Sequence, residues 1–198
     1  MGDMPRVSEA HLAARRQQIL DAARRCFLRE GFHNTSMQDV IAEAGLSVGA
    51  VYRYFKSKNE LITSIAESVL DEASALFESL SRHEPPLSPV EAVGRALDFV
   101  DRETGPDGVL RIALQVWAEA MRDPVLATFV AGVYTQMRGH FVYLATRARD
   151  AGTLPPDTNV EAVGAVLFGT VPGYALQRIL SNGPDKETYL AGLRTLVS

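Results

Sequence analysis

Apolar residues recur at three- and four-residue spacing from one end of this chain to the other, and no stretch alternates with period two. Helical side chains return to one face every 3.6 residues and strand side chains every two, so the pattern points to an all-α fold. Helix-end signals bracket the stripes. The first helix is expected from Ser8 to Glu30, with Leu12, Ile19, Ala23 and Phe27 on one face and Gly31 just past its end. A second starts at Thr35 or Ser36, where Thr-Ser-Met-Gln offers a capping box with Gln38. Its core face is Met37, Val40, Ile41 and Ala44, and Gly45 ends it. Ser47 caps a short third helix whose inner face reads Val48, Val51 and Phe55.

Ser57 and Glu60 open a long fourth helix to about Leu80. Ser88, Pro89 and Glu91 supply cap, first-turn proline and capping box for the fifth, which ends before Gly105. The sixth covers Val109 to about Met121, and the seventh runs from Asp123–Pro124 to Ala151. Thr158 or Asn159 caps an apolar eighth helix to about Asn182, with a kink expected at Pro172. A ninth covers Lys186 to Val197, giving about nine helices, the short ones crowded at the front.

A chain of 198 residues buries roughly 70% of its unfolded surface and needs no staple to fold. Cys26 is its only cysteine, which excludes an internal disulfide and a cysteine zinc cluster. The four histidines fit no metal-binding spacing, and no glycine-rich loop follows a strand. No metal, cofactor or enzymatic activity is therefore expected, and Cys26 beside Phe27 reads as a small buried hydrophobe. The amino terminus has no apolar signal core, and Val163–Leu176 is too short to span a bilayer, so a cytoplasmic protein without a membrane partner is expected.

Residues 36–55 place a helix, a tight Gly45-Leu46-Ser47 turn and a second short helix in succession. This is helix-turn-helix spacing, in which the second helix enters a DNA major groove; an ordinary helical hairpin has the same spacing. The residues around the turn say more. Ile19, Ala22-Ala23, Phe27, Gly31-Phe32, Thr35, Ala44-Gly45 and Ser47-x-Gly49-x-x-Tyr52-x-Tyr54-Phe55-x-x-Lys58-x-x-Leu61 fall in one 47-residue stretch, Arg16 to Ile62. That stretch closely resembles the amino-terminal DNA-binding domain of the TetR/AcrR family of bacterial transcription regulators, and the resemblance fades after Leu61. Two departures stand out. Ile41 replaces a usual small residue, with Gly49 and Ala50 expected to face it, and Val48 stands where relatives often carry a polar base reader, so direct readout leans elsewhere.

The candidate DNA-binding residues are Thr35, Gln38, Ser47, Val48, Gly49, Ala50, Tyr52, Arg53, Tyr54 and Lys58. Thr35 and Ser47 cap helix ends, where phosphate binds readily. Gln38 pairs bidentately with adenine or serves the cap; Arg53 pairs with guanine or clamps a phosphate. Gly49 and Ala50 let the helix approach thymine methyls. The resemblance implies backbone contacts for Tyr52 and Lys58, with Tyr54 nearby or half in the core. Arg6, Arg15 and Arg16 are candidate phosphate or minor-groove contacts from an amino-terminal arm.

The resemblance also implies an apolar effector cavity and a dimer interface made by helices eight and nine. Phe99, Trp117, Met121, Tyr134, Met137, Phe141 and Phe168 are the candidate lining, with Arg102, Gln115, His140 and Gln177 as polar groups; each is equally readable as core or surface. Gly164, Gly169 and Gly173 strip bulk from helix eight, which a dimer seam would use. Residues 1–58 are thus expected to form the DNA-binding domain and 59–198 the effector and dimer domain. The charge agrees: residues 1–62 carry 9 basic and 7 acidic side chains, the remainder 11 and 17. The expected function is a homodimeric, ligand-released regulator, most simply a repressor, on a pseudo-palindromic double-stranded operator. A regulator acting through protein partners, or a helical small-molecule binder or enzyme using the front domain as scaffold, stays open.

Overall fold

A computed structural model describes residues 9–197 of the chain; Arg6 and the expected helix start at Ser8 lie outside them. The described residues form nine helices and no strand: α1 Glu9–Glu30, α2 Met37–Ala44, α3 Val48–Tyr54, α4 Lys58–Ser81, α5 Pro89–Glu103, α6 Val109–Ala120, α7 Pro124–Asp150, α8 Val160–Ser181 and α9 Lys186–Val197. The caps at Ser47, Ser88, Asp123 and Asn159 stand where their side chains anticipate, each accepting a backbone N–H of the first turn. The box at α2 is shifted by one residue. Ser36, not Thr35, is the cap, and its partner is Asp39, not Gln38. The Ser36 hydroxyl and the Ser36 backbone N–H both donate to Asp39 Oδ2 and hold that carboxyl below its usual range.

The described residues separate into two compact units, the first ending at Ser68 and the second beginning at Val69. The first retains the opening turns of α4, because Leu61, Ile62 and Ile65 are buried there. Its centre is Ile19, Ala22, Ala23, Cys26 and Phe27 of α1, Val40 of α2 and Val51 of α3, all without exposed surface. Phe27 meets Phe32 edge to face at 5.2 Å. Cys26 is free and buried, and burial pushes its thiol up, away from the reactive thiolate.

In the second unit α5, α7 and α8 enclose a core of Ala92, Val93, Ala96, Leu97, Phe141, Leu144, Leu167 and Tyr174, with Leu190 of α9 against it. A buried phenol needs a partner, and the Tyr174 hydroxyl donates to Asp101 Oδ1 of α5 at 2.7 Å. Gly164 decides how closely α8 approaches α7. A Cβ there would stand 2.8 Å from the Val142 backbone, so this glycine serves a contact inside the chain rather than a seam between copies. Gly169 faces open space.

Helix α8 runs well beyond the apolar stretch Val163–Leu176 and continues through Pro172. By length and composition it is long and apolar enough to cross a membrane, unlike the expectation from that stretch. Its buried residues Gly164, Leu167, Tyr174 and Ala175 pack inside the second unit.

Candidate nucleic-acid interface

The turn between α2 and α3 is built by backbone conformation first. Gly45 adopts φ +63°, which favours glycine, and the N–H groups of Gly45 and Leu46 return to Ala42 O (3.1 Å) and Ile41 O (3.4 Å). Gln18 of α1 donates from Nε2 to Ala44 O at 2.8 Å, covering another end carbonyl of α2. Glu43 accepts Arg25 Nε at 2.7 Å and Arg29 Nη1 at 3.2 Å, tying α2 to α1 a second time; these bonds hold its carboxyl low. Ser47 Oγ then accepts Ala50 N–H at 3.3 Å and starts α3.

With α2 fixed this way, α3 has a defined inside and outside. Val51 is fully buried, and Phe55, the residue after α3, is 2% exposed. Successive residues advance by 100°, so Val48, Tyr52, Gly49 and Arg53 share an outward arc of roughly 140°. Val48 is 59% exposed and Tyr52 37%. A Cβ at Gly49 would meet nothing within 4 Å, so Gly49 does not face Ile41. Val48 therefore leaves the inner face expected for it and joins the outer one. Arg53 is exposed, with no hydrogen bond to other described residues, and Gln38 of α2 is exposed and free of the cap. Ala50 and Tyr54 lie half-buried on the inner flank.

Four residues expected at the DNA contact have side chains engaged within the first unit. Thr35 is 2% exposed, and its hydroxyl donates to Gly31 O at 2.8 Å and Cys26 O at 3.3 Å, so its side chain serves the α1–α2 turn. Arg15 and Arg16 belong to α1 rather than to an arm: Arg15 Nη1 donates to Gln18 Oε1 at 2.8 Å, and Arg16 Nη2 to Ser64 Oγ of α4 at 2.9 Å, its guanidinium over the Phe55 ring. Lys58 Nζ donates to Phe32 O (2.6 Å) and His33 O (3.0 Å) and lies 4.6 Å from the Phe32 ring centre. That ammonium is a strut between α4 and the α1–α2 turn. Lys58→Met is expected to cost about 1 kcal/mol of stability and to leave the salt dependence of DNA binding unchanged. Equilibrium unfolding and a salt series check this; unchanged stability with a slope lowered by one would return Lys58 to the phosphates.

In the second unit the candidate effector residues divide. Trp117 and Tyr134 meet edge to face at 5.9 Å, Tyr134 and Phe168 at 5.2 Å, and Phe168 and Phe141 lie 6.3 Å apart. Phe77, which the sequence reading missed, extends the run: it meets Phe141 at 5.0 Å and stacks on His140 at 4.8 Å. Its i, i+4 and i+7 spacing with Ala73 and Leu80 was the available signal. Met137 packs beside this core. His140 Nε2 is buried with no hydrogen-bond partner, and burial pushes its imidazole pKa down. Met121, by contrast, is 82% exposed. The Arg102 and Gln177 side chains are exposed and hydrogen-bond within their own helices, and Phe99 lies half-buried under Arg102.

Residues 19–65 match the family model of bacterial regulatory proteins, tetR family. Residues 89–198, more than half of the chain, match the model of the BetI-type transcriptional repressor, C-terminal. The chain belongs to the TetR family. As a TetR-family protein it is a DNA-binding transcriptional regulator of the helix-turn-helix type, not an enzyme. UidR of Escherichia coli, an HTH-type transcriptional regulator, is 26% identical over 92% of this chain and 90% of its own length. YfiR of Bacillus subtilis, an uncharacterized HTH-type regulator, is 40% identical over 80 residues, and the match spans 40% of this chain but only 39% of YfiR. A solved SmeT–triclosan complex matches with TM-score 0.71 at 25% identity, over 85% of this chain and 82% of that one.

Proposed function

We propose that this TetR-family protein is a cytoplasmic, homodimeric repressor that binds a pseudo-palindromic operator and is released by a small, largely apolar effector. The observation that carries the DNA side is the outward arc of α3, which leaves Val48, Gly49, Tyr52 and Arg53 to solvent while Val51 and Phe55 hold the helix from behind. Ser47, Gln38, Ala50 and Tyr54 flank that arc, and Thr35 and Lys58 support it from the α1–α2 turn. The carboxy-terminal match to a repressor model favours repression.

The dimer reading draws on Val166, Leu176 and Leu180 of α8 and Leu196 of α9, apolar groups that the described residues leave exposed. The effector reading draws on the aromatic run from Trp117 to His140, and on SmeT, solved in complex with triclosan. His140 Nε2 is a buried nitrogen without a hydrogen-bond partner, which a hydroxyl on such a molecule, able to donate or accept, would satisfy. Helix α4 contributes residues to both units and is the covalent route between them. An effector that moves the population from 99:1 to 1:99 needs about 5.5 kcal/mol of differential affinity.

In-vitro selection from random duplexes tests the reading. The expected product is an inverted repeat whose half-site centres lie ~34–36 Å apart, or a multiple of that spacing. A single, non-repeated site would remove the homodimer from the reading. A thermal-shift screen with apolar compounds separates effector release from a regulator that works through protein partners alone.

A further inference from the structure

Val48 and Tyr52 are the large apolar side chains that the described part of the first unit leaves exposed. For Val48 neither packing nor helix propensity supplies a reason. The inner side of α3 is already filled by Val51, and the space beside Gly49 is open. A β-branched side chain loses rotamer freedom in a helix, and polar or small residues suit a first turn better. Tyr52, one turn further along, and Arg53 continue the same surface, so the isopropyl group stands on the outward face of α3.

We propose that Val48 recognises thymine through its 5-methyl group, so that one base of each half-site is chosen by an apolar contact rather than by a hydrogen bond. The inference rests on the DNA-binding reading of α3 and goes beyond it by naming the base and the group that is read. An isopropyl group has no donor or acceptor. In the major groove guanine presents N7 and O6, adenine N7 and an amine, and cytosine an amine; thymine alone presents a methyl. An isopropyl over a polar edge strips its water and returns no hydrogen bond, whereas over thymine it shields one methyl from water. The absence of a side chain at Gly49, on the same outward arc, lets the helix approach closely enough for that contact.

Deoxyuridine isolates the methyl, because it pairs as thymidine does and lacks only that group. With the full-length protein and its selected duplex, each thymidine is replaced in turn. The wild-type protein is expected to lose about fourfold in affinity at one position per half-site, and about 15-fold when both half-sites are altered. Val48→Ser should bind the thymidine and deoxyuridine duplexes alike at that position, and Val48→Ala should retain part of the difference. Unchanged circular dichroism and melting temperature for Val48→Ser, an exposed replacement, show that folding is not the cause. The proposal is overturned if no thymine methyl matters by more than twofold, or if Val48→Ser keeps the full discrimination. If no duplex is selected at all, the DNA reading of α3 fails, and the Val48 assignment with it.

Discussion

Gly164→Ala is expected to destabilise the protein by about 1–3 kcal/mol, and Gly164→Leu to prevent α8 from docking on α7. The added Cβ would lie 2.5 Å from Val142 Cγ2 and 2.8 Å from Val142 Cα and N. A side-chain methyl can rotate away, but the backbone atoms of a helix cannot, so the two helices must separate. Separation loosens Phe141, Leu144 and Leu167, which are at most 5% exposed and gain their stability from close packing. Urea unfolding gives the number directly, at fixed protein concentration because a dimer adds a concentration term. Gly169→Leu is the matched control. Open space surrounds Gly169 and its neighbour Val166 is 67% exposed, so the larger side chain leaves the fold of the chain intact. Under the proposed dimer it changes self-association in sedimentation instead. An unchanged unfolding midpoint for Gly164→Ala would contradict the α7–α8 contact.

Glycines of α8 also show where sequence reading stops. Three glycines in an apolar helix announce a close approach, since propensity alone disfavours them, but they do not name the neighbour. Gly164 spends its missing side chain on α7, and Gly169 does not. Local signals fared better: the boxes at Ser88–Glu91 and the caps at Asp123 and Asn159 depend on atoms within one turn, and all were readable. Thr35 was misplaced because its hydroxyl answers to Gly31 and Cys26, four and nine residues earlier. The inner face assigned to Val48 failed for a related reason. A seven-residue helix is too short for periodicity to fix its phase, and Phe55, used to set the stripe, lies just beyond it. Residue type likewise could not separate Trp117 and Phe168, which join the aromatic run, from Met121 and Arg102, which face solvent.

The outward arc of α3 carries the other large effect. Arg53→Ala is expected to weaken operator binding by about 1–3 kcal/mol per half-site and to relax the preference at one base position. Two half-sites are far enough apart for their losses to add, giving about 2–6 kcal/mol, or thirtyfold to 10⁴-fold, for the dimer. Arg53 is exposed and without a hydrogen bond to the described residues, so its removal leaves the fold untouched and the whole loss is read in binding. Tyr52→Ala should behave differently. Tyr52 lies on the arc and is exposed; if, as the resemblance implies, it contacts the phosphate backbone, affinity should fall by a similar factor for every sequence, with the selected motif preserved. Repeating the selection with each variant distinguishes the two roles. If Arg53→Ala retains the complete motif while losing affinity evenly, Arg53 clamps a phosphate. Base choice on α3 would then fall to Val48, with Gln38 of α2 the remaining hydrogen-bonding reader.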